Sequence, residues 1–278
     1  MDIRRSPATR RNDRVRAAPG RKGAGNREWL RARAEPGAVV FLGGATLVEF
    51  RVRVAQSALR QDLLPSFWSA VGIADSDASL LTAPIATGAD PALIPSANGV
   101  QRLRFDAFDD PARFPNVAVI GFARPAEPIV ENVRRLMGQR SALDLPSMIL
   151  PWLAFVWGAG ARRNPLHEQV GLPGAALAET AFGMSGIELT PGLASGSSCP
   201  EAIWQAAVWW HDYYRETADV SGAPLAGDER RARRPAQERP RAIVPAGEYW
   251  VRQDAAAVTS EVSPKARPTR RRPRRTAR

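Results

Sequence analysis

The chain has 278 residues, of which 44% are apolar, 24% charged and 7% aromatic. This balance is that of an ordinary globular protein, and it excludes a fibrous or wholly disordered chain. The single cysteine, Cys199, excludes an intramolecular disulfide framework. Because the chain has only this cysteine and two histidines, the sequence predicts no metal site, and it predicts no cofactor.

The net charge of +11 is unevenly distributed along the chain. Residues 1–33 hold 11 basic and 3 acidic side chains, and residues 264–278 hold 8 basic and no acidic side chains. The part between them is mildly acidic. Arginine-rich ends of this kind can bind nucleic acid or acidic membranes nonspecifically through phosphate groups. The arginine run at 270–275 contains no aromatic side chains, so base stacking is not expected there. The alternative is that the ends only solubilise the chain.

Apolar runs indicate that the chain does not cross a membrane. The longest run, 148–161, is interrupted by Pro151 and is shorter than the about 20 residues that a span needs. The charged N-terminus has no apolar run behind it, which is not typical of a secretory signal. The sequence therefore predicts a cytoplasmic protein without a membrane span.

Composition divides the chain into five parts. Residues 1–33 are predicted to be a disordered basic tail, 34–220 an α+β domain, and 221–242 a polar linker. Residues 243–263 contain a short apolar patch and are predicted to be a docking segment. Residues 264–278 are predicted to be a disordered Arg/Pro tail.

Within the domain, the predicted strands come mostly first and the predicted helices mostly later. In chain order we expect a strand at 38–42, a helix at 45–60, strands at 69–74, 80–85, 100–105 and 116–122, and helices at 129–138, 143–157, 174–182 and 199–216. This order favours an α+β fold with a mainly antiparallel sheet and helices packed against it.

Cys199 lies in the one segment where the sequence suggests covalent chemistry. The small polar residues 196–198 are typical of a loop and helix cap, and Pro200 and Glu201 suit a first helical turn. A cysteine at the positive end of a helix is expected to have a lowered pKa and a more reactive thiolate. The alternative is that Cys199 is a small buried apolar residue at a helix start.

Four short motifs give the chain a resemblance to a known family. They are Gly37–Leu42 (GAVVFL), Ser69–Ile73 (SAVGI), Asn116–Ile120 (NVAVI) and Cys199–Ile203 (CPEAI). Their order and spacing resemble those of the circularly permuted, NlpC-type papain-like amidases and thiol hydrolases. The resemblance implies a permuted papain-like fold and a thiol hydrolase or acyltransferase that acts on an amide, peptide or acyl bond, with Cys199 as nucleophile.

The sequence departs from this family at the catalytic histidine, whose position is occupied by Ala70. Alanine cannot hold or transfer a proton, so the family mechanism lacks its base. His167 is a weak substitute base, and Asp144 or Glu49 could orient one. The chain is therefore predicted to be either a cysteine hydrolase that uses another base or an inactive relative.

Three functions remain open on the sequence alone. The first is a thiol hydrolase or acyltransferase that uses Cys199. The second is a noncatalytic binding or adaptor module of the same fold, which would take a peptide, amide or acyl ligand or a protein partner. The third is a nucleic-acid-associated protein that acts through its basic ends.

Overall fold

A computed structural model describes residues 25–85, 99–122, 126–138, 143–158, 162–220 and 245–250. For 211–220 and 245–250 it describes the backbone alone. The predicted linker at 221–242 and the predicted tail at 264–278 lie outside the described residues, as do residues 1–24 of the predicted N-terminal tail.

The described residues form six α-helices and six strands. The strands are β1 (Val39–Gly43), β2 (Ala70–Asp75), β3 (Ser79–Thr82), β4 (Gln101–Arg104), β5 (Asn116–Phe122) and β6 (Pro245–Trp250). The helices are α1 (Asn26–Arg33), α2 (Leu47–Ala55), α3 (Ala126–Gly138), α4 (Leu145–Val156), α5 (Pro173–Gly183) and α6 (Pro200–Val220). The longer apolar runs formed strands where β-branched residues dominate and helices where the apolar spacing follows 3.6 residues.

All six strands belong to one sheet in the order β4-β3-β2-β1-β5-β6, and every neighbouring pair is antiparallel. The register pairs Leu42 of β1 with Ala70 of β2. The predicted α+β class with an antiparallel sheet is therefore confirmed. Strand β6, from the predicted docking segment, extends the sheet beside β5.

The sheet separates two apolar layers. On one face, Phe41 and Val71 pack with residues of α2, α3, α4, α5 and α6. On the other face, Val40 and Leu42 pack with α1 and with a 3₁₀ turn at Phe105–Phe108. Side chains of successive strand residues point to opposite faces, so each short apolar run supplies both layers.

One predicted boundary is wrong at the N-terminal side. Residues 26–33, which the composition places in the disordered tail, form helix α1, and this helix buries Asn26, Trp29 and Leu30. Trp29 and Leu30 fill the smaller layer, and the Asn26 side-chain amide donates to the Phe114 carbonyl over 2.9 Å. The free energy gained by burying these two large apolar side chains exceeds the cost of ordering the polar, arginine-rich residues around them.

Three predicted elements are shorter than expected. The helix predicted at 45–60 ends at Ala55, because the Gln56 side chain turns back to donate to the carbonyls of Val52 and Trp68. The strand predicted at 80–85 ends at Thr82, and the strand predicted at 100–105 begins at Gln101 and ends at Arg104.

In the described part of the chain, no helix is long and apolar enough to cross a bilayer.

Candidate functional site

Cys199 lies at the N-terminus of α6, and backbone hydrogen bonds hold the loop before it against the segment that precedes α5. The Gly171 amide donates to the Gly196 carbonyl over 2.7 Å, and the Leu172 amide donates to the Ser198 carbonyl over 2.8 Å. The two segments approach so closely that a Cβ on Gly171 would lie 2.2 Å from the Ser198 oxygen. Glycine is required here because no side chain fits between them.

This close packing buries the thiol. Cys199 is 1% exposed and belongs to the larger apolar layer. Burial raises its pKa from 9.0 to about 12, although the backbone N–H groups of Ala202 and Glu201 act in the opposite direction. The expected lowering of the pKa is therefore wrong. The helix terminus does favour the thiolate, but desolvation disfavours it more strongly.

A buried carboxyl group, that of Glu201, lies in the first turn of α6, which begins directly after Cys199. The Glu201 carboxylate accepts hydrogen bonds from the Ser66 hydroxyl and from the Gln205 amide, both over 2.6 Å, and lies 3.9 Å from the Arg60 guanidinium. The Glu201 amide donates to the Gln56 side chain over 2.9 Å. Burial raises the pKa of Glu201. The network joins α6 to the turn after α2.

A second buried carboxyl group faces the loop before Cys199. The Glu179 carboxylate, on α5, accepts hydrogen bonds from the hydroxyls of Ser198 over 2.9 Å and Thr190 over 2.5 Å. Burial raises the pKa of Glu179. Both carboxyl groups also raise the pKa of Cys199. Burial therefore keeps the thiol neutral, with a smaller contribution from the two carboxyl groups, and the hydrogen bond between Ser198 and Glu179 holds the loop before it in place.

Ala70 lies on the face of the sheet opposite to Cys199. Directly paired residues of an antiparallel sheet share a face, and Ala70 is paired with Leu42, which belongs to the smaller layer. Cys199 belongs to the larger layer together with Val71. An imidazole at position 70 would therefore begin on the wrong face to take a proton from this thiol.

The other candidate base and orienting residues are not among the groups that act on the thiol. His167 is exposed in a 3₁₀ turn, Pro165–Glu168, and within the described residues its side chain makes no hydrogen bond or ion pair. Glu49 accepts hydrogen bonds from Thr46 as part of the α2 capping box. Asp144 is exposed at the start of α4 and caps no amide there.

A groove of about 700 Å³ opens beside the α6 N-terminus, at the end of the sheet where β1 finishes and β2 begins. Pro200 contributes to its wall, and Cys199 is not among the described residues that line it. Its apolar lining comes from both layers, and it includes Leu42, Ala70, Ile85, Leu103, Phe108 and Leu172. Its volume lies within the range of about 300–1,000 Å³ that small-molecule sites span.

Most polar side chains of the groove are already bonded within the protein. Ser69 accepts from the Gly44 amide over 3.0 Å, Thr82 donates to the Val71 carbonyl over 2.7 Å, and Thr46 donates to Glu49 over 2.7 Å. Arg113 differs from them. It is exposed, its guanidinium lies 5.2 Å from the centre of the Phe114 ring, and it forms no ion pair with any described residue.

Sequence reasoning did not find the groove or Arg113. The groove assembles from segments that are far apart in the chain, and no local pattern marks Arg113 among the many other arginines.

The described residues contain no group of three or more potential metal ligands. No known family, curated protein or solved structure matches this chain.

Proposed function

We propose that this protein is a noncatalytic binding module whose elements follow the order of the permuted papain-like fold. In this proposal the groove binds an amphipathic ligand with an aliphatic chain and an acidic head group. The observation that carries it is the apolar groove of about 700 Å³ next to a thiol that is itself closed off.

The lining of the groove favours an aliphatic chain over a peptide. A peptide needs hydrogen-bond partners along its backbone, but Ser69, Thr82 and Thr46 use their hydroxyls internally. Apolar side chains of both layers offer an aliphatic chain surface to exclude from water. Arg113 at the rim supplies a charge for a carboxylate or phosphate head group.

The test is the binding of a fluorescent fatty acid, 11-(dansylamino)undecanoic acid, to the full chain. Ala107 lines the groove and is exposed, so Ala107→Trp should fill the groove without disturbing the core. The matched control is Ala112→Trp, at an exposed position that does not line the groove. We expect Ala107→Trp to abolish binding and Ala112→Trp to leave it unchanged.

Arg113→Gln tests the head group. Loss of one charge-assisted contact should weaken the binding of decanoate about tenfold and leave the binding of decanol unchanged. Failure of the wild type to bind the dansyl probe, or equal binding by Ala107→Trp and wild type, would contradict the proposed ligand.

A thiol hydrolase is the second candidate, because the N–H groups of Glu201 and Ala202 do act on the Cys199 sulfur and Pro200 borders the groove. It requires an opening motion that exposes Cys199. Its test is the hydrolysis of a p-nitrophenyl acyl ester by wild type and by Cys199→Ala. Turnover that disappears in Cys199→Ala would favour the hydrolase over the binding module.

A further inference from the structure

The exposed apolar side chains of this protein are concentrated in one region. Seven of the eleven large apolar side chains that are well exposed in the described residues lie on α2, on the turn after it, on α4 or at the residue directly after α4. We call these seven the apolar face: Leu47, Val54, Leu59, Leu63, Leu64, Leu150 and Trp157. Scattered exposed apolar residues need no explanation, but a concentration of them marks an interaction surface.

The two helices of the apolar face are neighbours. The Arg51 guanidinium on α2 donates to the Val156 carbonyl at the end of α4. Leu47, Arg51 and Val54 are spaced as one stripe of α2. Leu150 of α4 lies two helical turns before Trp157, the residue that caps α4. Leu47 also lines the groove, so the apolar face reaches the groove mouth.

The turn after α2 exposes two leucine side chains to solvent. Arg60, which is 5% exposed, donates to Asp62 over 2.9 and 2.6 Å, and the Asp62 carboxylate accepts from the Leu64 amide over 3.0 Å. The turn holds Leu63 at 70% exposure and Leu64 at 53%.

The backbone of Leu63 adds an independent indication. Its φ is 55°, in the left-handed region that glycine and asparagine adopt more easily than leucine. A packed core does not explain a leucine here, because the side chain is exposed. Unfavourable backbone conformations persist at functional sites, and this one places an apolar side chain at the tip of the turn.

Two exposed arginines lie beside one end of the apolar face, near the end of α2. Arg162 and Arg163 are exposed just before Asn164, whose amide donates to the Ala55 carbonyl at the end of α2 over 2.7 Å. The acidic Asp62 is paired with Arg60. The two basic ends of the chain carry further arginines, most of which lie outside the described residues.

We propose that the apolar face docks on a membrane surface rich in anionic lipid. The leucines of the turn and Trp157 enter the interfacial region, and the arginines contact lipid phosphates. Apolar insertion and basic charge are each too weak alone to hold a protein on a bilayer, and together they suffice. The proposal stands apart from the groove ligand, because vesicle binding through this face does not require an occupied groove.

The experiment is co-sedimentation of the full chain with vesicles of phosphatidylcholine alone and of phosphatidylcholine with about 30% phosphatidylserine, the anionic component that basic proteins recognise. Wild type should bind the anionic vesicles, and less at high salt. The double variant Leu63→Asn, Leu64→Gln should bind at least about tenfold more weakly. Asparagine suits the left-handed conformation of position 63, so this variant should keep its fold.

The matched control is Met184→Gln with Leu193→Gln, two exposed apolar positions outside the apolar face, and it should bind like wild type. As a second readout, Leu64→Cys labelled with a nitrobenzoxadiazole dye should show a blue-shifted emission with anionic vesicles only.

Three results would overturn the proposal. Undiminished vesicle binding by the leucine variant would mean that the basic ends alone bind the vesicles, through nonspecific contacts with phosphate groups like those expected for nucleic acid. An absence of wild-type binding would remove the membrane as partner. A dimer in light scattering that the leucine variant dissociates would make the face a contact between two copies of this chain.

Discussion

The two sides of the α6 N-terminus differ in how completely they are filled. On the Cys199 side, a close glycine contact and two hydrogen-bonded carboxyl groups accompany a thiol that is 1% exposed. On the Pro200 side, apolar side chains from both layers border an open groove. The same helix start thus has a closed, inert side and an open side that can bind. Proximity to a helix terminus therefore does not by itself make a thiol reactive.

The largest expected effect is the protection of the thiol. A pKa of about 12 instead of 9.0 lowers the thiolate fraction of Cys199 near neutral pH about a thousandfold. Iodoacetamide should therefore modify the native protein at least that much more slowly than the urea-unfolded chain, as followed by mass spectrometry. Rapid labelling of the native protein would show that the closed side opens, and would favour the hydrolase.

The second effect concerns the polar network of the closed side. Glu201→Ala leaves Ser66, Gln205 and Arg60 without their buried acceptor. We expect a loss of about 3 kcal/mol in the free energy of unfolding, measured by urea denaturation. Glu201→Gln keeps a carbonyl acceptor and should lose less. Equal losses in the two variants would mean that the side-chain volume, not the hydrogen bonding, matters.

The third prediction compares the same kind of change on the two sides. Gly171→Ala places a methyl group 2.2 Å from the Ser198 oxygen and should cost about 2 kcal/mol of stability. Ala107→Trp adds a far larger group on the open side and should change stability by less than about 0.5 kcal/mol. Thermal unfolding of both variants measures the difference. A tolerated Gly171→Ala would contradict the closed packing around Cys199.

The smallest effect is a dependence of stability on pH. Burial raises the pKa of Glu179 and of Glu201 above the ordinary glutamate value of 4.5, so the native state binds more protons than the unfolded chain. The stability that this gives is present below pH 4.5 and is lost as pH rises through the native pKa values. The free energy of unfolding should therefore fall as the pH rises above about 4.5, by at most about 1.4 kcal/mol per pH unit for each carboxyl group.

Glu179→Gln is the control for this slope, because glutamine does not titrate. Its unfolding free energy should depend less on pH over the same range, as measured by denaturation at several pH values. A slope identical to that of the wild type would mean that Glu179 is already ionised in the native protein.

Local patterns determined much of the fold. The apolar runs at 116–122 and 174–182 predicted β5 and α5 closely, because strand and helix periods are written in neighbouring residues. Helix α1 was missed because its burial depends on a layer assembled from distant strands, not on its own arginine-rich composition. The end of α2 at Ala55 likewise depends on bonds that Gln56 makes to Val52 and Trp68.

For the candidate site, the sequence by itself identified Cys199 and placed it at a helix start. Only the tertiary structure decided what that position means. Desolvation depends on everything packed around a group, and the loop before Cys199 is held by Gly171, which packs against Ser198, and by Glu179, which accepts a hydrogen bond from the Ser198 hydroxyl. The face on which Ala70 lies follows from its pairing with Leu42, and strand register is a property of two chain segments together. The groove and the apolar face share this dependence, since each is formed by residues that meet only after folding.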